Sequence, residues 1–186
     1  MVGKKNVVFG FLFLVITAAL GPWMITQYQP GEVEAQAEKQ NFVGRLQSLK
    51  ADEFEEDLEP LPPEAIAKAN TDGILALNKL VNARQPIDLI RSGPHVHGNL
   101  EALLNIVVGI ALCFIAVGRL FKQAISWIFI IGTLLHSGIM FLAIMLDQAW
   151  AMTVLGTGVG PMLVLLGLLL AGIAAAMGMR AEVVRD

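Results

Sequence analysis

Four long apolar stretches alternate with polar sequence along the 186-residue chain. They cover residues 7–25, 100–118, 124–146 and 152–177. Each is close to the roughly 20 apolar residues that an α-helix needs to cross a bilayer core. The runs are continuous and do not alternate with polar residues, which predicts helices and not a barrel. The pattern therefore predicts an all-α membrane protein, a four-transmembrane-helix bundle.

The polar sequence predicts how this bundle is divided. Residues 1–26 form an N-terminal transmembrane helix, residues 27–98 an acidic extracytoplasmic segment, and residues 99–186 a bundle of three transmembrane helices. Within the middle segment, residues 32–50 and 65–83 carry apolar positions at helical spacing, which predicts amphipathic helices. Pro63 fits a helix start, whereas the turn-like run at residues 70–73 predicts an interruption.

Composition agrees with a membrane protein. Hydrophobic residues make up 55% of the chain and charged residues only 16%, against about 25% charged in soluble domains. The net charge of −3 comes without a basic patch, so nucleic acid is not an expected partner. Cys113 is the single cysteine, which excludes an internal disulfide and a cysteine-only metal site.

Basic residues predict the orientation. With four spans, three short basic segments fall on one side of the membrane, and the positive-inside rule makes that side cytoplasmic. The first span is too long for a signal peptide and lacks a suitable cleavage site, so we predict an uncleaved anchor. We therefore predict a multi-pass protein of the bacterial inner membrane with both termini in the cytoplasm. The basic residues are Lys4, Lys5, Arg119, Lys122, Arg180 and Arg185.

All three histidines lie in or beside these spans. His95 and His97 form an HVH triplet before the second span, and His136 lies inside the third. An ionisable side chain at such a depth is a functional-site hypothesis. Such a side chain requires a metal, a haem or a hydrogen-bond partner.

Helical spacing separates the two neighbouring histidines. His97, Glu101 and Asn105 are four residues apart and share one helix face. His95 points about 200° away from His97, so the two would bind one ion only if the triplet were not helical.

The depth of His136 follows from the turn between the second and third spans. If that turn lies near Phe121, His136 is level with about Ile106 and is displaced from His97 by roughly 14 Å. Such an offset disfavours a haem ligated by both His97 and His136. It instead predicts a hydrogen bond or shared polar pocket between His136 and Asn105.

Three interpretations of the histidines remain open. One is a b-type haem with His97 as its single histidine ligand. A second is copper or another ion bound by His95 and His97 with Glu101 or Asp147, since imidazole suits copper and iron. The third has no cofactor, with interfacial histidines and a buried His136–Asn105 pair that stabilises helix packing.

Glycines begin the fourth span. Gly158 and Gly160 belong to a run that no strand precedes, so it is not a nucleotide-binding loop. They provide either close helix packing or backbone room for a flat cofactor on the same side of the membrane as His97.

Two families share parts of this pattern. The HVH triplet resembles the haem-ligand pair of cbb3-type haem-copper oxidases, in which the two histidines serve different haems. His97-Gly98, the run Ala102–Asn105, Ser137-Gly138 and Gly160-Pro161 resemble styrene oxide isomerases, four-helix membrane proteins that bind haem b. This resemblance implies His97 as the axial ligand of a haem that acts on an epoxide. The family's catalytic tyrosine has no counterpart, because the only tyrosine, Tyr28, lies outside the region.

These observations predict a membrane protein that binds haem b near the periplasmic face through His97, with Asn105 and His136 lining the pocket. Chemistry on a small apolar substrate, or electron transfer, would follow. The alternatives are a periplasmic-face copper site and an accessory subunit that binds a partner complex through its acidic segment. Small residues in the fourth span also predict a homo-oligomer or a larger membrane complex.

Overall fold

The computed structural model describes residues 1–56 and 59–184, and the chain is 84% helical. The all-α prediction is therefore confirmed. The chain forms two compact units: unit 1 contains Met1–Pro22 and Leu89–Asp186, and unit 2 contains Trp23–Asp88.

Seven α-helices and two π-helical turns make up most of the described part of the chain. The π-helical turns are Arg91–His95 and Leu134–Gly138. A short antiparallel pair, β1 (Glu55–Glu56) and β2 (Glu59–Pro60), lies between the first two helices. The α-helices are α1 (Lys4–Ala51), α2 (Pro63–Ile90), α3 (Val96–Ala111), α4 (Arg119–Thr133), α5 (Ile139–Met145), α6 (Ala149–Gly156) and α7 (Val159–Gly178).

Three helical segments of the described chain are long and apolar enough to cross a membrane. They are α1, the continuous run Arg119–Met145, and α7. The predicted second span corresponds to α3, which has 16 residues and ends at Ala111. Its length is about 24 Å at 1.5 Å per residue, shorter than the other three. A membrane crossing by α3 stays a prediction.

Close helix packing in unit 1 depends on glycines. A Cβ on Gly3 would lie 1.9 Å from the Gly109 carbonyl oxygen, and one on Gly10 would lie 2.6 Å from the Ala102 carbonyl oxygen. Gly10 lies in α1 and Gly3 immediately precedes it, so both contacts bring the beginning of the chain against α3. Small residues permit such backbone approach in apolar helices. The apolar core is formed by Val108, Leu112, Ile115, Ile125, Phe129, Val164 and Ala174.

Several segments of the chain meet at one end of unit 1. The end of α3 meets the end of α7 through a bridge between Ile115 and Met179. The Arg180 amide also donates to the Phe114 carbonyl at 2.8 Å. Because α4 begins at Arg119 and Gly3 contacts Gly109, the starts of α4 and α1 lie at this same end. We call it the termini end.

Unit 2 is an antiparallel helix pair formed by the second part of α1 and by α2. Lys79 lies 2.5 Å from Glu38, and Arg84 lies 2.7 Å from Glu32. The hydrogen bond and the charge of Glu38 raise the pKa of Lys79 above its ordinary value. Among the described residues of unit 2, the buried hydrophobic side chains are those of Ala35, Ala69, Ala76 and Leu80.

Two expectations for this segment had different outcomes. Pro63 begins α2, as predicted, and Glu64 lies in its first turn. The predicted interruption at residues 70–73 is wrong, because α2 continues through it. Gly73 faces Leu46, whose Cδ1 would lie 2.7 Å from an added Cβ. This glycine therefore permits close contact with α1 and does not form a turn.

Candidate functional site

The first π-helical turn separates the surroundings of His95 and His97. Gly93 within it has non-helical dihedral angles (φ −97°, ψ −113°), which marks a kink. Pro94 follows, and proline is compatible with the first turn of a helix because it has no N–H to leave unpaired. α3 then begins at Val96, so His95 lies just before the helix and His97 in its first turn.

His95 interacts with α1. Its Nδ1 lies 2.8 Å from the carbonyl oxygen of Thr17. Asn99 completes this contact: its Oδ1 accepts a 2.8 Å hydrogen bond from Thr17 Oγ1, and its Nδ2 lies 3.4 Å from His95 Nδ1. The two histidines of the triplet therefore have different neighbours, as the helical spacing predicted.

Glu101 lies at the centre of a buried polar cluster between α3 and the second π-helical turn. Its Oε1 lies 2.5 Å from His136 Nδ1, and its Oε2 accepts a 2.7 Å hydrogen bond from Ser137 Oγ. Glu101 is 4% exposed and Ser137 is fully buried. A buried carboxylate is tolerated only when its oxygens are paired, and here both are.

The ring of His97 contacts the ring of His136. Their centroids are 5.0 Å apart at an interplanar angle of 61°, an edge-to-face arrangement. In the part of the chain that the structure describes, the His97 side chain makes this ring contact, and neither of its ring nitrogens has a hydrogen-bond partner. His97 thus differs from His95 and His136, whose Nδ1 atoms are both engaged.

The expected 14 Å offset between His97 and His136 is wrong, because their rings touch. The expected bond between His136 and Asn105 is wrong too, because His136 pairs with Glu101. The reason is the position of the turn. The observed partners across α3 and α4 are symmetric about residue 119, where α4 begins, and not about Phe121. Each residue by which that midpoint moves shifts every facing partner by two, so a midpoint at 119 in place of 121 changes the register by slightly more than one helical turn.

Asn105 belongs to a separate hydrogen-bonded network deeper in unit 1. Its Nδ2 donates to the Glu101 carbonyl at 3.0 Å and to Thr133 Oγ1 at 2.9 Å. Its Oδ1 accepts from Asn6 Nδ2 at 3.0 Å. Asn6 also donates to the Ser126 carbonyl and accepts from the Ser126 hydroxyl. The network joins α1, α3 and α4 through fully buried side chains.

Sequence reasoning missed four of the residues that pair with these groups, although a signal was present. Ser126, Thr133 and Ser137 are seven and four residues apart, so they lie on one face of an otherwise apolar helix. Asn6 is likewise a strong polar residue at the start of an apolar span. A polar stripe inside an apolar segment indicates the buried face.

The second π-helical turn is held by α7. A Cβ on Gly160 would lie 2.6 Å from the His136 amide nitrogen, so the room beside Gly160 is filled by backbone. Gly158 has φ +67°, a left-handed conformation that favours glycine, and faces open space at the start of α7. π-Helical turns frequently occur at functional sites, and this one carries both His136 and Ser137.

The structure does not bring the predicted metal ligands His95, His97 and Glu101 together. His95 contacts α1, whereas Glu101 is bound to His136 and Ser137. In residues 1–56 and 59–184, no three His, Cys, Asp or Glu side chains lie close enough together to bind one metal ion.

Comparison with known proteins gives no relative for this chain. No protein-family profile matches the sequence, and neither a curated protein nor a solved structure is similar to it.

Proposed function

We propose that this chain is an integral membrane protein that binds a b-type haem through His97, beside the Glu101–His136 pair. One observation carries the proposal: His97 lies at the start of an apolar helix, and within the described residues neither of its ring nitrogens has a hydrogen-bond partner. Polar groups at membrane depth are paired with other groups or mark a ligand pathway. The imidazole of His97 is therefore available to a ligand.

The number of available donors favours haem over an isolated metal ion. Glu101 is already paired with His136 and Ser137, and His95 with Thr17. Protein sites for zinc and copper usually supply three or more ligands. A haem iron needs only one histidine from the protein in proteins of the globin and peroxidase kind. His97 alone satisfies that requirement.

His136 does not fit as the second axial ligand of the same haem. A haem held by both histidines would need space for its macrocycle between the two rings. The rings of His97 and His136 are 5.0 Å apart and touch edge to face. We therefore propose His97 as the single protein ligand.

The pairing with Glu101 gives His136 a defined role. A carboxylate at Nδ1 fixes the proton on that nitrogen and leaves Nε2 as the acceptor. Ser137 holds the other carboxylate oxygen, so Glu101 cannot rotate without losing two bonds. His136 can then accept or return a proton next to a molecule bound at His97. When bound, the haem would supply an iron that polarises an oxygen-containing substrate or carries an electron.

A metal ion bound by both histidines is the second candidate, because one distance favours it. The ring centroids of His97 and His136 are 5.0 Å apart, so both imidazoles would be near enough to hold one ion. Glu101 would then orient His136 from outside the coordination sphere, a common arrangement for metal-binding histidines.

The membrane topology is a further part of this proposal. Three helices long enough to cross support a multi-pass membrane protein. We propose that α3 crosses as a fourth span, that both termini are cytoplasmic, and that the host membrane is the bacterial inner membrane. Assembly into a homo-oligomer or a larger complex also stays a proposal.

An absorption spectrum of the full chain, purified in detergent after expression with haem precursor, tests the proposal. We expect a Soret band and a pyridine-haemochrome signal near one haem per chain. His97→Ala should abolish both, and the matched variant His95→Ala should retain them. Retention of full haem in His97→Ala would overturn the ligand assignment.

Metal analysis of the same samples separates the remaining possibilities. A colourless protein with one metal ion per chain, lost in both His97→Ala and His136→Ala, would favour the two-histidine ion. A colourless and metal-free protein would exclude both cofactor proposals and favour an accessory subunit of a membrane complex.

A further inference from the structure

An open cleft lies at the termini end of unit 1, between the start of α1 and the start of α4. Its volume is about 640 Å³. Among the residues that the structure describes, the lining includes three basic side chains, Lys4, Lys5 and Arg119, and no carboxylate. It also includes an apolar strip of α1 formed by Val8, Phe9 and Leu12. None of these residues belongs to the histidine site.

We propose that this cleft binds an anionic phospholipid, with the phosphate between the three basic side chains and an acyl chain along the apolar strip. Charge complementarity identifies the head group, because three cations line one opening without a carboxylate to neutralise them. Basic pockets between transmembrane helices bind anionic head groups in this way.

The order of residues along α1 identifies the tail. Lys5, Val8, Phe9 and Leu12 follow the three- and four-residue spacing of one helix face, and all four line the cleft. Leu12 lies seven residues beyond Lys5, about 10 Å further along the axis. Val8 is 49% and Leu12 is 64% exposed. A ligand with a charged head and an apolar tail therefore matches this wall better than a free phosphate ion.

Lys5 is held in position for such a ligand. Its Nζ donates to Oε1 of Gln123, and it lies 4.2 Å from the centre of the Trp127 ring. A cation above an aromatic ring is stabilised by the ring's quadrupole. The side chain thus loses less freedom when the phosphate binds. Gln123 also lines the cleft and adds a neutral donor from α4.

Lipid titration followed by native mass spectrometry of the detergent-solubilised full chain tests the proposal. The probes are phosphatidylglycerol and phosphatidylcholine with identical acyl chains. We expect phosphatidylglycerol to bind at least fivefold more tightly. Lys4→Gln and Arg119→Gln should each weaken its binding by about fivefold, since each basic residue near an anionic surface contributes about that factor.

Arg180→Gln is the matched control. Arg180 is exposed at the same end of unit 1 but lines a different cleft, so this variant removes the same charge and should leave lipid binding within twofold of the unmodified chain. Glycerol phosphate as a competitor distinguishes the lipid from a free phosphate ion. We expect millimolar glycerol phosphate not to displace the lipid.

Three results would overturn the proposal. The first is equal binding of the two lipids, and the second is an equal loss in Arg119→Gln and Arg180→Gln. The third is full displacement by glycerol phosphate, which would identify a soluble anion as the ligand. Each variant must give the same thermal unfolding midpoint as the unmodified chain. Lys4→Gln and Arg119→Gln serve as independent tests because they alter different helices.

Discussion

Glu101 Oε1 lies 2.5 Å from His136 Nδ1, so a carboxylate on α3 is joined to an imidazole on the second π-helical turn. The next residue, Ser137, binds the other carboxylate oxygen. Successive residues of a helix normally point about 100° apart. Both reach one carboxylate here because its two oxygens accept from different directions. The pair therefore fixes the position of α3 against this turn.

Removal of the Glu101 carboxylate should destabilise the folded chain. Glu101→Ala leaves the His136 and Ser137 donors without their acceptor in a buried place. We expect a loss of about 1–3 kcal/mol in the free energy of unfolding, the usual effect of stranding buried polar groups. Thermal unfolding in detergent measures it. Glu182→Ala, at an exposed position, is the control and should change stability by less than about 0.5 kcal/mol. Equal midpoints for the two variants would contradict the assigned role.

The amide pair formed by Asn6 and Asn105 should show energetic coupling. Their side chains are hydrogen-bonded at 3.0 Å across α1 and α3. A double-mutant cycle with Asn6→Ala and Asn105→Ala should give a coupling of about 0.6 kcal/mol and at most about 1.7, the range measured between membrane helices. Asn6→Ala combined with Thr157→Ala, an exposed position, should be additive. A coupling indistinguishable from that control would mean that the bond contributes nothing to stability.

Two glycines of α7 should respond in opposite ways to alanine. Gly160 abuts the backbone of His136, whereas Gly172 has nothing within 4 Å of an added Cβ. Gly160→Ala should force α7 away from the π-helical turn and destabilise by about 1–3 kcal/mol. Gly172→Ala should be neutral or stabilising by up to about 1 kcal/mol, because alanine favours helix. Unfolding midpoints that fall equally in both variants would rule out the packing explanation.

Cysteine labelling should determine whether α3 crosses the membrane. In a Cys113→Ser background, single cysteines at Lys68, Gly118 and Gln148 are treated with a membrane-impermeant maleimide in intact cells. With four spans, Lys68→Cys and Gln148→Cys should be labelled from outside, and Gly118→Cys only after lysis. Labelling of Gly118→Cys together with Lys68→Cys would show that α3 does not cross.

Local patterns in the sequence were sufficient for much of the architecture. Apolar runs of nearly 20 residues predict helices because only a helix satisfies all its backbone hydrogen bonds in lipid within one continuous segment, and three such helices are present. The four-residue spacing of His97, Glu101 and Asn105 likewise places all three on the side of α3 that faces α4 and the second π-helical turn. Both inferences depend only on helical periodicity, which a sequence carries directly.

Tertiary structure decided which of these side chains are partners. The contact between His97 and His136, and the bond between Glu101 and His136, depend on where α3 ends and α4 begins. The sequence places that turn only to within a few residues, and any error is doubled in the register of antiparallel helices. The contact of Gly160 with His136 depends in addition on the approach of α7. Periodicity determines which face of a helix is polar. Which residue of another helix lies opposite depends on how the two helices pack, and a local sequence pattern carries no information about that packing.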